Sequence, residues 1–181
     1  MSPSEPAQPE SRAVRSIFHL NINCSDLERS VAFYRRLGFE VVMDAGTVSG
    51  TADGSYEALE IHGAYRHRGP VVMFLGNDRY QTRLDLMQWE QPASPPNPDR
   101  PPTALGIPRI ALWTKGLRGL HRRLVDEGVE FITEPRGPFE DRSIEAIVGL
   151  RDPDGLIVEL MEFLPGGRKL YSSVDEAESA G

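Results

Sequence analysis

The chain repeats itself at an offset of 90 residues, and no other feature limits its fold as much. HLNINCSDLERSVAFYRRLGFEVV, from His19, lies over RIALWTKGLRGLHRRLVDEGVEFI, from Arg109, so that Gly38 meets Gly128 and Glu40 meets Glu130 without a gap. A period of this kind marks one supersecondary unit used twice. In the first copy alternation predicts a strand from His19. Ser25 with Glu28 then reads as a capping box, Leu27, Val31 and Tyr34 recur at helical spacing, and Gly38 stops the helix. The next strand is expected from Phe39. In the second copy a strand starts at Arg109, and Leu117, Leu120 and Leu124 mark a helix that Thr114 must cap alone and that Gly116 and Gly119 weaken.

The copies also end alike. LDLMQW at 84–89 matches VELMEF at 158–163, at an offset of 74. VVMFL at 71–75 and IEAIVGL at 144–150 precede them, followed by turn-forming GND and DPDG. Each half therefore reads strand, helix, three strands, and the fold expected is α+β, with two βαβββ modules. One such sheet has a face it cannot cover alone, so the modules are expected to pair their curved sheets around a cleft. Between them, residues 91–108 hold seven of the fifteen prolines and cannot continue a helix or a central strand. The expected organisation is a flexible tail at 1–14, a first module at 15–90, a proline-rich linker at 91–107, a second module at 108–164 and a flexible tail at 165–181.

Charge and composition narrow the partners. Net charge is -7, and the basic residues are scattered rather than clustered, which speaks against nucleic acid. No run of about 18 apolar residues exists to span a bilayer, and residues 1–14 lack a signal peptide's apolar stretch. A cytoplasmic protein is expected. Cys24 is the single cysteine, so neither an internal disulfide nor a thiolate zinc cluster is available. Neither a G-x-S-x-G elbow nor a phosphate-cradling glycine loop occurs.

The phrases HLNINCSDLERSVAFYRRLGFEVV and DPDGLIVELMEF, with the 90-residue repeat, resemble the vicinal oxygen chelate superfamily of glyoxalases, bleomycin resistance proteins and extradiol dioxygenases. The resemblance covers roughly residues 16–163. It implies a glyoxalase-like fold acting on a small organic molecule, but not one reaction, since this scaffold carries isomerases, lyases, oxygenases and plain binders. It also implies four ligand positions, on the first and last strand of each module: His19, Asp85, Arg109 and Glu159. Arg109 departs from the pattern, because a guanidinium offers only donors and stays protonated. It stands where a second metal histidine is usual.

Three readings of these residues stay open. His19, Asp85 and Glu159 are the candidate ligands of a divalent metal, against which Arg109 weighs: a single charge about 5 Å from a dication is repelled by roughly 6 to 7 kcal/mol at an effective dielectric near 20. In a metal-free site Arg109 takes the electrostatic role, and His19 or Glu159 carries the proton. In the third reading the charges pair only to dock the modules. Alternation adds Asn21 and Asn23 to the face of His19, Met87 and Trp89 to that of Asp85, Ala111 and Trp113 to that of Arg109, and Ile157 and Met161 to that of Glu159. Of these, Asn21, Asn23, Met87, Trp89, Trp113 and Met161 are candidate substrate contacts. The stretch 49–70, with His62 and His67, reads as a lid or a solvated hairpin. His121 reads as a surface or packing residue. In the loop at 135–143, Phe139 and Arg142 are weaker candidates for substrate contact.

Two functions follow as expectations. One is a glyoxalase-like isomerase, epimerase or lyase that moves a proton next to a carbonyl, with or without metal. The alternative is a non-catalytic binding or resistance protein of the same fold. Monomer and homodimer are both compatible with two modules in one chain.

Overall fold

The computed structural model describes residues 17–76, 82–95 and 101–167. The expected tails, apart from 165–167, and the middle of the proline-rich segment lie outside these residues. The chain forms two compact units, Met1–Ser94 and Pro95–Gly181.

In the first unit β1 (His19–Asn23) leads into α1 (Leu27–Arg36), followed by β2 (Glu40–Asp44), β3 (Thr47–Thr51), the short α2 (Gly54–Glu57), β4 (Ala64–Phe74) and β5 (Arg83–Gln91). The sheet order is β1-β5-β4-β2, and β3 pairs with the other end of β4. β1 runs parallel to β5, with Asn21 beside Asp85 and Asn23 beside Met87. α1 buries Leu27, Ser30 and Tyr34 against the sheet face that carries Val71, Met73, Leu84 and Leu86, all nearly inaccessible. Burying one such Leu is worth about 1.5–3 kcal/mol.

In the second unit β6 (Arg109–Trp113), α3 (Leu117–Asp126), β7 (Ile144–Arg151) and β8 (Ile157–Phe163) repeat the plan with fewer strands. Their sheet order is β6-β8-β7. α3 buries Leu117, His121 and Leu124 over Val148, Leu150, Val158 and Leu160. Asp152 closes the β7–β8 turn, its Oδ1 accepting from the backbone N–H groups of Asp154 and Leu156 at 3.0 and 2.8 Å.

The structure corrects the expected three strands after each helix. The first unit has an additional strand and helical turn, β3 and α2, built from the glycine-rich stretch. The second has two, because the segment after Gly128 touches β7 only by single bridges, at Phe131, Arg136 and Phe139. Pro135 and Pro138 have no N–H to donate to a ladder, so a continuous strand cannot form there.

The helix starts also differ from expectation. Asp26, not Ser25, caps α1, its Oδ1 accepting from Arg29 N–H at 3.0 Å. Glu28 turns instead to Arg68 of β4, and this ion pair lowers the pKa of its carboxyl. α3 has no cap from its own segment: Gly116 precedes it in a left-handed conformation without a side-chain bond. The Glu162 carboxylate of β8 supplies the acceptors, at 2.7 Å from Gly116 N and 2.9 Å from Leu117 N. Gln88 does the same in the first unit, its Oε1 accepting from Leu27 N–H at 3.0 Å. Gln88 and Glu162 are equivalent at the 74-residue offset, so both closing strands cap their module's helix. Glu162→Ala is expected to cost about 1 kcal/mol, and Glu162→Gln less, measured as a shift in the urea midpoint.

Candidate functional site

Strand pleating gives each sheet one face toward its helix and one face away from it. On the far face of the first sheet His19, Asn21 and Asn23 project from β1, and Asp85, Met87 and Trp89 from β5. His19 Nδ1 lies 3.4 Å from Asp85 Oδ2, with the imidazole 43% exposed and the carboxylate 15%. Asp85 Oδ1 is buried and meets no hydrogen-bond donor among the described residues. An unsatisfied carboxylate oxygen out of contact with water costs about 1–3 kcal/mol or more, so this atom is built to receive an N–H or O–H. The contact with Asp85 orients the ring and leaves the remaining ring nitrogen as a proton donor or acceptor.

The second sheet carries Arg109, Ala111 and Trp113 of β6 beside Ile157, Glu159 and Met161 of β8. Arg109 Nε makes an ion pair with Glu159 Oε2 at 3.0 Å, the guanidinium side chain 54% exposed and the carboxylate 16%. Trp113 is half exposed, with Lys115 Nζ 5.5 Å from the centre of its ring. Within each unit, then, the structure brings together the two residues that the resemblance singles out.

The candidate metal ligands are divided between the two units. His19 and Asp85 are two candidate ligands in the first unit, and Glu159 in the second is held by a group with no lone pair to offer. Among the described residues no group of three or more His, Cys, Asp or Glu side chains gathers where it could hold an ion.

The site face of the first sheet also holds residues of the stretch that sequence reading gives only to a lid or a solvated hairpin. His67 is 1% exposed and pairs across the strands with Trp89, their rings 4.8 Å apart. Tyr56, from α2, places its hydroxyl 2.8 Å from His67 Nε2 and stacks on Tyr65 at 4.2 Å. Trp89 Nε1–H in turn donates to Asn23 Oδ1 at 3.1 Å. These four aromatic and imidazole rings cover one end of the face, so the stretch 49–70 is neither a plain hairpin nor merely solvated. Alternation alone misplaces His67, because a bulge between Arg68 and Val71 inserts a residue into β4 and moves it to the opposite face. A glycine-proline pair inside a strand was the available signal. His121, by contrast, is a packing residue, buried with its ring 4.4 Å from that of Phe131. Phe139 precedes and Arg142 ends a 3-10 turn at Glu140–Arg142, with the Arg142 guanidinium 6.0 Å from the Phe139 ring centre.

Burial pushes the His67 pKa below its ordinary value, with a smaller opposing effect from the Gly69 backbone. The unfolded chain therefore binds this proton more readily, and stability must fall as pH drops below about 6.5. The urea midpoint is expected to be lower at pH 5.5 than at pH 7.5, and His67→Gln to flatten that difference. The lowered carboxyls of Glu28 and Asp53 titrate further down and do not contribute in this window.

Among the described residues no helix is long and apolar enough to cross a membrane. A Bacillus subtilis protein, YwkD, itself described as uncharacterized, is 30% identical over 153 residues, covering 82% of this chain and 98% of its own. A glyoxalase family protein from Bacillus cereus shares the fold at a TM-score of 0.71 and 18% identity, over 87% of this chain and 99% of that one. Two further structures align at a TM-score of 0.52. One is the fosfomycin resistance protein FosX of Listeria monocytogenes, solved with Mn(II) and a dihydroxypropylphosphonic acid, at 14% identity over 82% of this chain and 92% of that one. The other is TnmS3, an antibiotic binding protein from Streptomyces sp. CB03234, at 19% identity over 83% and 98%. A family model matches residues 16–160, and with it the α+β repeat has its assignment: the chain belongs to the Glyoxalase/Bleomycin resistance protein/Dioxygenase superfamily.

Proposed function

We propose that this chain binds a small organic molecule on the far face of its first sheet and moves a proton next to a carbonyl, as an isomerase, epimerase or lyase. One observation carries the reading: His19, half exposed, lies against Asp85, whose second carboxylate oxygen is buried and unpartnered. A base oriented by a carboxylate, beside an acceptor waiting for a donor, is suited to general acid–base work. His19 exchanges the proton, and Asp85 orients it and receives a hydroxyl or amide of the ligand. Asn21, Asn23, Met87 and Trp89 supply polar and apolar contact around them.

A second reading is favoured by the aromatic group at the end of the same face. Tyr56, Tyr65 and Trp89 suit the planar body of a ligand that is held and not changed, and an antibiotic-binding protein shares the fold. Incubation in D₂O with a panel of 2-keto and 2-hydroxy compounds separates the two. Deuterium entering the position next to the carbonyl, seen by proton NMR, supports the enzyme. A compound that binds and is recovered without deuterium supports the binder. Members of this superfamily often bind divalent metals, so the incubation is run with and without added Mn(II), Ni(II) or Zn(II). Localisation in the cytoplasm is part of the same proposal.

A further inference from the structure

We infer that the second module carries an oxyanion-binding site at Arg109, which takes a carboxylate or a phosphate-type group. It does not rest on the proton transfer proposed for the first module. Arg109 occupies, at the 90-residue offset, the position of His19, and Glu159 that of Asp85 at the 74-residue offset. One module thus presents a titratable base where the other presents a permanent cation.

The arrangement of that cation is specific. Glu159, largely buried, holds Arg109 at Nε, which is one of five N–H donors on a rigid fork. Among the described residues no second acceptor engages the guanidinium, so its two terminal amino groups remain as a pair of parallel donors. That pair fits two oxygens of one planar or tetrahedral anion. Arg109 opens β6, an edge strand, and is more than half exposed, which gives a ligand access. Its neighbour on the same face is Ala111, too small to cover the fork. An anion on the terminal side lies nearer the guanidinium than to Glu159, so attraction exceeds repulsion.

The test is calorimetric titration at low ionic strength with sodium lactate, with inorganic phosphate, and with lactamide as the uncharged analogue of lactate. Wild-type protein is expected to bind lactate, phosphate or both, and to bind lactamide at least tenfold more weakly than the anion it selects. Whichever anion binds more tightly identifies the class. Arg109→Met should weaken that binding at least tenfold. Arg109→Lys, which keeps the charge but not the fork, should weaken it severalfold with the urea midpoint unchanged. Arg66→Met, which removes an equally exposed arginine from the first unit, should leave it unaltered, so loss of the Arg109 site is told apart from loss of positive charge alone. Equal affinity for lactamide, or anion binding by Arg109→Met at wild-type strength, would overturn the inference.

Discussion

Asp85→Asn is expected to lower deuterium exchange by about 10²–10⁴-fold, the range that a positioned acid–base group contributes, while the protein stays folded. The factor corresponds to about 3–5 kcal/mol of barrier. Asn keeps the shape of Asp and an oxygen toward His19, but it cannot stabilise an imidazolium. The accompanying change in stability makes the result diagnostic. In the wild type Asp85 holds a buried oxygen without a donor, a cost that a neutral amide reduces. The urea midpoint should therefore be unchanged or slightly higher as activity disappears. Residues kept for function commonly behave this way, since local stability is given up for a reactive arrangement. A variant that is destabilised yet still exchanges deuterium would show that Asp85 serves the sheet and not the chemistry. His19→Gln should lose exchange to a similar extent, because either change disables the same pair.

Gly69→Ala is expected to cost about 3 kcal/mol or more, read as a fall in the urea midpoint of the first unit. Gly69 has φ +89, and a Cβ there would lie 2.5 Å from the Leu86 carbonyl oxygen and 2.9 Å from Val71 N. Both contacts are with backbone in the middle of the sheet, so no side chain can swing aside. The consequence reaches the site face. The bulge at Gly69 is what puts His67 beside Trp89 instead of toward α1. A chain that relieves the clash by straightening β4 must shift its register, and near-ultraviolet circular dichroism should report the loss of the Tyr56, Tyr65 and Trp89 packing. Retention of wild-type stability would mean that the strand tolerates a side chain at the bulge.

How much of the site could be read from residues alone depends on how locally each side chain is placed. His19, Asp85, Arg109 and Glu159 lie on short, regular strands, where a period of two decides which face a residue takes. Their shared faces follow from alternation, and their neighbours from aligning the repeats. His67 failed this logic because one inserted residue reverses the parity of everything before it. Tyr56 was invisible for a different reason: it sits in a four-residue helix whose position depends on β3 and β4 pairing around it. The helix caps show the same limit. Asp26 is local to its helix, yet the capping-box pattern points to Ser25, one residue early. Glu162 lies 45 residues from the amide it receives, and no local pattern marks such a bond.

By itself the sequence determined the repeat, the two α+β modules and the family, because apolar periodicity and helix-stopping glycines are local and are written twice. It also determined that the guanidinium of Arg109 lies over the imidazole of His19 in the repeat. Only the tertiary structure decided what these groups touch. Arg109 is held by Glu159 through one edge of its fork, Asp85 keeps an oxygen without a donor, and His67 is buried under Tyr56. Each of these depends on register between strands distant in the chain, where a shift of one residue exchanges the two faces of a sheet.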